Sequence, residues 1–301
     1  MTSTAAPLEM PYPDETLESL AGGKVHARCS LWWRETPLHH GRRTGFIGAV
    51  SSSDDDALAA LLARAAERLR GEGCALATGP IDGNTWHRYR LVTCTDGTPP
   101  FPLEPHSPLT ATLPWERAGF TSLETYSSLR DDALGKRDPR VPALAAKLRE
   151  NGVTLRALNL QRFDEELAQI HALALRGFRD APLFTPIEFA EFASLYRPLA
   201  PLLDARLCPL AEVDGRIGAA LFAFRDPRAP QTVVLKTVVR DADRRLAGIG
   251  FVLTDAVRAA AHALGALRAI SALQHDGTVA RSLAGRAVVF RRYAVFSKEL
   301  S

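Results

Sequence analysis

The chain has 301 residues, 46% of them hydrophobic and 24% charged, with 37 Lys plus Arg against 34 Asp plus Glu. That length suggests two ordinary domains, each able to bury a core. A net charge of +3, without a run of five or six basic residues, suits an anionic small molecule and leaves out nucleic acid as a partner. Cys29, Cys74, Cys94 and Cys208 form no zinc-type pair, so reduced thiols in a cytoplasmic protein are expected. Met1 to Glu18 is polar and lacks the apolar core of a signal peptide. The longest mostly apolar stretch, Phe251 to Ile270, carries Asp255, Arg258, His262 and Arg268, so it reads as a buried helix and not a membrane span.

In chain order, residues 1–23 read as a loose lead-in, and Val25–Trp33 and Thr44–Val50 as strands. Ser51-Ser52-Ser53-Asp54 offers N-cap oxygens to a helix over Asp55–Glu72. There Leu58, Leu61, Leu62, Ala65 and Leu69 fall on one face, and Gly71 and Gly73 end the helix. Cys74–Gly79 is a short buried strand. Residues 96–115 hold six prolines and read as an ordered loop. Phe120–Leu129 closes the first half as a strand. A linker is expected in Arg130–Arg140, with a short helix over Pro142–Glu150.

The second half opens with a strand, Val153–Leu160, and an amphipathic helix, Phe163–Phe178. Thr185-Pro186 is expected to start another helix, with proline in its first turn. Ala205–Val213 and Ile217–Phe224 flank Asp214-Gly215, a two-residue hairpin turn. Gln231–Val239 is a strongly apolar strand. A glycine loop and a helix over about Phe251–Leu264 follow it. Leu267–Leu273 and Ala287–Phe296 are the last strands. The halves repeat: a helix leads to a strand ending in Asp82-Gly83 in one and Asp276-Gly277 in the other. Ala118-Gly119 precedes Tyr126 as Ala284-Gly285 precedes Tyr293. The first half carries a Pro-rich insertion of about 28 residues by this count.

The stretch with most chemical content is Arg244-Arg245-Leu246-Ala247-Gly248-Ile249-Gly250-Phe251, between strand and helix. Its glycines let the backbone approach an anion closely, and the helix N-terminus presents unpaired N–H groups and partial positive charge. Arg244 and Arg245 add side-chain charge, so a diphosphate is the natural occupant. The third glycine of a dinucleotide fingerprint is missing, Leu253 standing in its place, and so is the Gly-Lys-Ser/Thr of a phosphate-binding loop.

The element order over 153–298, with Asp214-Gly215-Arg216-Ile217-Gly218, Leu235-Lys236-Thr237-Val238-Val239-Arg240 and Arg245-x-x-Gly248-x-Gly250, resembles the GNAT (GCN5-related N-acetyltransferase) superfamily. The first half resembles it only from the fourth strand onward. The resemblance implies an α/β fold with a mixed sheet: two GNAT-like domains in tandem, 1–135 divergent and partial, 151–301 binding acyl-CoA. It implies a pantetheine arm along the backbone of Val238, Val239 and Arg240, and a pyrophosphate on the 244–251 loop. The implied reaction moves an acetyl or other acyl group from acetyl-CoA to an amine of a small molecule or peptide, by a monomer or homodimer without nucleic acid or membrane. The alternative is a GNAT-fold protein that binds CoA or another ligand without catalysis.

The family's tyrosine acid has no counterpart here, since Arg281 or Ser282 stands in its place. The fourth strand carries no carboxylate base. His275 is the best candidate base or shuttle. Asp276 is an alternative that reads first as a turn residue, and Ser282 is a weak hydrogen-bond donor. Tyr293 reads as core. In the first half Asp54-Asp55-Asp56 at a helix N-terminus would repel a pyrophosphate, so CoA is not expected there. Trp32, Trp33, Trp86 and Trp115 could line a cleft but more naturally serve the core. His39-His40-Gly41-Arg42-Arg43 reads as a solvated hairpin tip.

Overall fold

The computed structural model describes residues 10–277 and 286–301. These form two compact units. The first comprises the described residues of Glu9–Tyr126, Ala181–Thr185 and Arg291–Ser301. The second comprises those of Ser127–Asp180 and Pro186–Phe290.

In the first half, β1 (Glu15–Ala21), β2 (Lys24–Trp32), β3 (Leu38–His39) and β4 (Arg42–Ser52) precede α1 (Asp55–Gly71). Then come β5 (Leu76–Gly79), β6 (Leu91–Thr95), α2 (Leu113–Arg117) and β7 (Thr121–Asp131). α3 (Val141–Glu150) leads to β8 (Thr154–Ala157), α4 (Phe163–Gly177), α5 (Phe189–Tyr196), β9 (Pro209–Val213), β10 (Arg216–Arg225) and β11 (Thr232–Arg240). α6 (Ile249–Ala263), β12 (Arg268–His275) and β13 (Val288–Glu299) complete the chain.

Both units contain the same run: three antiparallel strands, a helix, and a strand parallel to the third. In the first, β1, β2 and β4 pair in antiparallel order, and β4 runs parallel to β5 over Thr44–Phe46. In the second, β9, β10 and β11 do the same, and β11 runs parallel to β12 over Thr232–Leu235. The first unit therefore begins its likeness two strands earlier than the sequence suggests. β1, read as lead-in, is a paired strand whose residues face solvent or are half-buried, which is why no apolar alternation marks it.

The unit boundaries fall inside β7 and β13, not in 130–140. Segment 296–299 pairs with β5, and β7 neighbours β12. Each half therefore supplies the strand beside the other half's helix-following strand. The expected linker packs within the second unit instead: Leu134 is buried and Arg137 pairs with Asp255.

α1 buries Leu58, Leu61, Leu62, Ala65 and Leu69, as its periodicity predicts, on a core that includes Cys29, Ile47, Trp115 and Phe296. It ends where Gly73 turns left-handed (φ +78°) and the Cys74 N–H reaches the Leu69 carbonyl. α6 buries Ile249, Val252, Leu253 and Val257 against β9–β11, with α3 alongside. α5 starts after Glu188, not at Pro186. The Pro-rich stretch supports α2, with Pro114 in its first turn. Trp32, Trp33 and Trp115 are core residues, and half-buried Trp86 donates to the Thr185 carbonyl. His39 is buried 3.8 Å from the Glu124 carboxylate, so the hairpin tip is less solvated than its composition implies. Among the described residues no helix is long and apolar enough to cross a membrane, and the four cysteines are free thiols.

Candidate functional site

In the second unit, β11 and β12 part company after a short ladder. Their last registered pair is Leu235 with Ser271. At that point β11 carries a bulge: Thr237 faces Phe222 and Leu235 faces Ala223, leaving Lys236 as the extra residue. A bulged strand bends, so Lys236–Arg240 keep β10 on one edge and, among the described residues, have no registered strand on the other. Val238 and Val239 therefore sit on a splayed edge where an extended ligand can add as a strand does. Val239 is buried under Gly177 of α4, where a Cβ would lie 2.4 Å from the valine methyl. Arg240 is exposed and reaches the Asp241 carbonyl.

The loop after β11 ends at Gly248, which takes φ +84° as the residue before α6. That conformation demands glycine, and a Cβ there would also press on the Leu144 side-chain tip at 2.9 Å. No side chain caps α6. Among the described residues no backbone partner satisfies the amides of Gly248, Ile249 and Gly250 either. An uncapped helix end of 15 residues, entered through a left-handed glycine, suits an anion. Leu246 and Ile249 are buried anchors, whereas Arg244 and Ala247 are exposed. Phe251 is half-buried under the Arg140 guanidinium at 4.4 Å.

Arg245 differs from the reading that makes it a free phosphate ligand. Its guanidinium bonds Asp243 (2.7 Å) and Asp214 (2.9 Å), and its carbonyl accepts from Asn151. Those carboxylates hold its pKa above the ordinary arginine value. The side chain thus ties the loop to the Asp214-Gly215 turn, whose φ values of +51° and +72° match the expected two-residue hairpin. Its first task is to position the loop.

His275 ends β12 and its ring lies over Gly277, where a Cβ would meet it at 2.9 Å. Asp276 accepts a 2.6 Å hydrogen bond from Ser127 and is held as a structural partner. Ser282 lies outside the described residues. Tyr293 is fully buried and bonds Glu104 in the first unit, as its core reading predicts.

Sequence reasoning missed Tyr196. It ends α5, packs on Phe192 (4.4 Å) and edge-to-face with Phe222 (5.6 Å), and its hydroxyl bonds the Thr237 side chain beside the bulge. Burial pushes its pKa up to about 12, so it stays protonated. The available signal was the Phe192/Tyr196 pair at i, i+4 on a helix facing the splayed strand.

The equivalent place in the first unit is closed. The Ile81 N–H bonds the Ile47 carbonyl, and the Asp82 carboxylate accepts from the Ala49 N–H at 2.6 Å. A Cβ on Gly48 would lie 2.0 Å from the Ile81 oxygen, so the chain itself fills the splay. At α1, Asp54 accepts from the Asp56 and Ala57 amides, each at 2.9 Å, so the helix end is capped.

No family model matches the sequence. Among solved structures, the chain is similar to a GCN5-related N-acetyltransferase from Sphaerobacter thermophilus, at 15% identity and TM-score 0.51, over 92% of this chain and 78% of that one. It is also similar to a tandem GNAT protein from the clavulanic acid biosynthesis pathway, at 16% identity and TM-score 0.50, over 96% and 85%. The chain has the GNAT fold. Among curated proteins, it is 30% identical over 180 residues to the bacterial ceramide synthase of Caulobacter vibrioides, covering 58% of this chain and 46% of that protein. The chain spans about half the length of the curated relatives it matches.

Proposed function

We propose that the second unit is an N-acyltransferase that binds acyl-CoA at the N-terminus of α6 and along Val238–Arg240. The observation that carries this reading is the juxtaposition of an uncapped helix end, entered through Gly248, with a strand splayed at the Lys236 bulge. The first unit, with its splay filled and its helix capped, binds no CoA. Acyl-CoA supplies a thioester carbonyl that an amine attacks, breaking the C–S bond and releasing the thiol.

The chain's own groups have defined tasks in this reading. The amides of Gly248, Ile249 and Gly250 hold the pyrophosphate, and Arg244 adds charge from the exposed side of the loop. Arg245 keeps the loop in place through Asp214 and Asp243. Tyr196 donates a hydrogen bond to negative charge that develops beside Thr237. His275 takes the proton that the attacking amine loses. The cytoplasm, where thiols stay reduced, suits the four free cysteines.

The relative named bacterial ceramide synthase favours one acceptor class. A ceramide is the fatty amide of a long-chain amino alcohol, so a lipid amine and a long acyl chain rank ahead of an acetyl group and a peptide amine. The test is release of free thiol from acetyl-CoA and from a long-chain acyl-CoA, with long-chain amino alcohols, aminoglycosides and peptides offered in parallel. Amide formation with any amine supports catalysis. CoA binding with no turnover on any of them would leave a ligand-binding GNAT fold instead.

A further inference from the structure

Arg90, in the first unit, is a charged side chain with no use in the reading above. It is 5% exposed. Its guanidinium carbon lies 3.7 Å from the ring centre of Tyr89 and 3.8 Å from that of Tyr126. Nε and Nη1 are buried without a hydrogen-bond partner. Among the described residues no carboxylate pairs with it. The buried acid of the neighbourhood, Glu104, is committed to Arg291 and to the Tyr293 hydroxyl.

The position is built rather than incidental. Ile81 and Tyr89 bridge the two arms of a strap, Asp82 and Arg88 form an ion pair within it, and the Arg90 N–H bonds the Pro80 carbonyl. Arg90 itself takes φ +69°, a left-handed conformation that a long side chain adopts only when its surroundings enforce it. Tyr126 is buried and Tyr89 half-buried, so of the two rings against the guanidinium Tyr89 is the one that reaches solvent. Burial pushes the Arg90 pKa down to about 10, so the group stays charged at neutral pH. Two cation–π faces recover only part of what it costs to take an arginine out of water. A buried positive charge in this state lacks a counter-ion.

We propose that the first unit holds an oxyanion site at Arg90, which takes a carboxylate or phosphate group of a small ligand when the Tyr89 ring turns aside. The site is independent of the α6 end and gives the first unit a ligand of its own.

Thermal unfolding of the full chain tests it, with inorganic phosphate and acetate each compared with sodium chloride of equal ionic strength, and CoA present throughout. The expected result is a saturable rise of about 2 °C at roughly five times the dissociation constant. Arg90→Met removes that response. Its midpoint in chloride is equal to or above that of the wild type, because an apolar side chain of similar length carries no buried charge. If Arg90→Met does not fold, Tyr89→Ala serves, and a change of at least about threefold in the half-saturating concentration is expected from removing the cover. Response to phosphate alone assigns a phosphate ligand, and response to acetate alone a carboxylate. A wild-type protein indifferent to both anions overturns the proposal. So does an Arg90→Met variant that responds as the wild type does, or a Tyr89→Ala variant with unchanged half-saturation.

Discussion

α1 and α6 hold the same place in a repeated strand–strand–strand–helix–strand run, yet their N-termini are opposites. α1 begins at Asp54, whose carboxylate takes two amides, with Asp55 and Asp56 in the first turn. α6 begins after a left-handed glycine and has no side-chain cap. The strands before them differ in the same sense. Both carry a bulge beyond the parallel ladder: Ala49 and Val50 face Cys29 in one, three residues past its last pair, and Lys236 is extra in the other, directly after it. In the first unit Ile81 and Asp82 then occupy the opening. A common scaffold thus carries two splayed strands and two helix ends, and a handful of residues fill one pair and leave the other open.

That contrast is broken most strongly at Gly248. Gly248→Val puts a branched side chain at φ +84° and against Leu144. A loss of about 1–3 kcal/mol in stability is expected, and of roughly 30-fold or more in CoA affinity, read by denaturant unfolding and calorimetry. Next is Tyr196→Phe, expected to slow turnover about 10- to 100-fold while CoA affinity stays within about twofold. An equal fall in affinity would move Tyr196 from chemistry to binding. Arg245→Ala frees the loop from the Asp214 turn and should weaken CoA binding roughly 3- to 10-fold, a modest effect because the ion pairs are exposed.

The smallest effect belongs to the silent side. Asp54→Ala should lower the melting temperature and leave CoA binding unchanged. The Ala57 amide above all holds Asp54 below its ordinary value of 3.8. A depressed carboxylate stabilises the fold above its unfolded pKa and loses that contribution as pH falls through the folded one. The wild-type advantage over Asp54→Ala is therefore full at neutral pH and shrinks in melts taken below pH 3.8. An advantage that persists there would assign it to something other than the ionised cap.

The second unit was largely legible because its signals are local. The Asp214-Gly215 turn, the apolar run of β11 and the glycines around the start of α6 each point to one conformation. α1 was legible for the same reason: its apolar face repeats at helical spacing. What escaped is non-local. β1 has no buried alternation, since it is an exposed edge strand. The exchange of β7 and β13 between halves depends on pairing partners more than a hundred residues away by sequence number, which no short pattern encodes. The ion pairs of Arg245 were not legible because its partners, Asp243 and Asp214, are not both neighbours in sequence. Tyr196 lies in a segment read only as a helix, and its value comes from Thr237 on another element.

The central claim is that one of the two cradles is open. Calorimetric titration of the full chain with CoA tests it most directly, run beside Gly248→Val and Asp54→Ala. One site per chain is predicted, lost in Gly248→Val and intact in Asp54→Ala. Two sites per chain, no binding, or binding that survives Gly248→Val would contradict it.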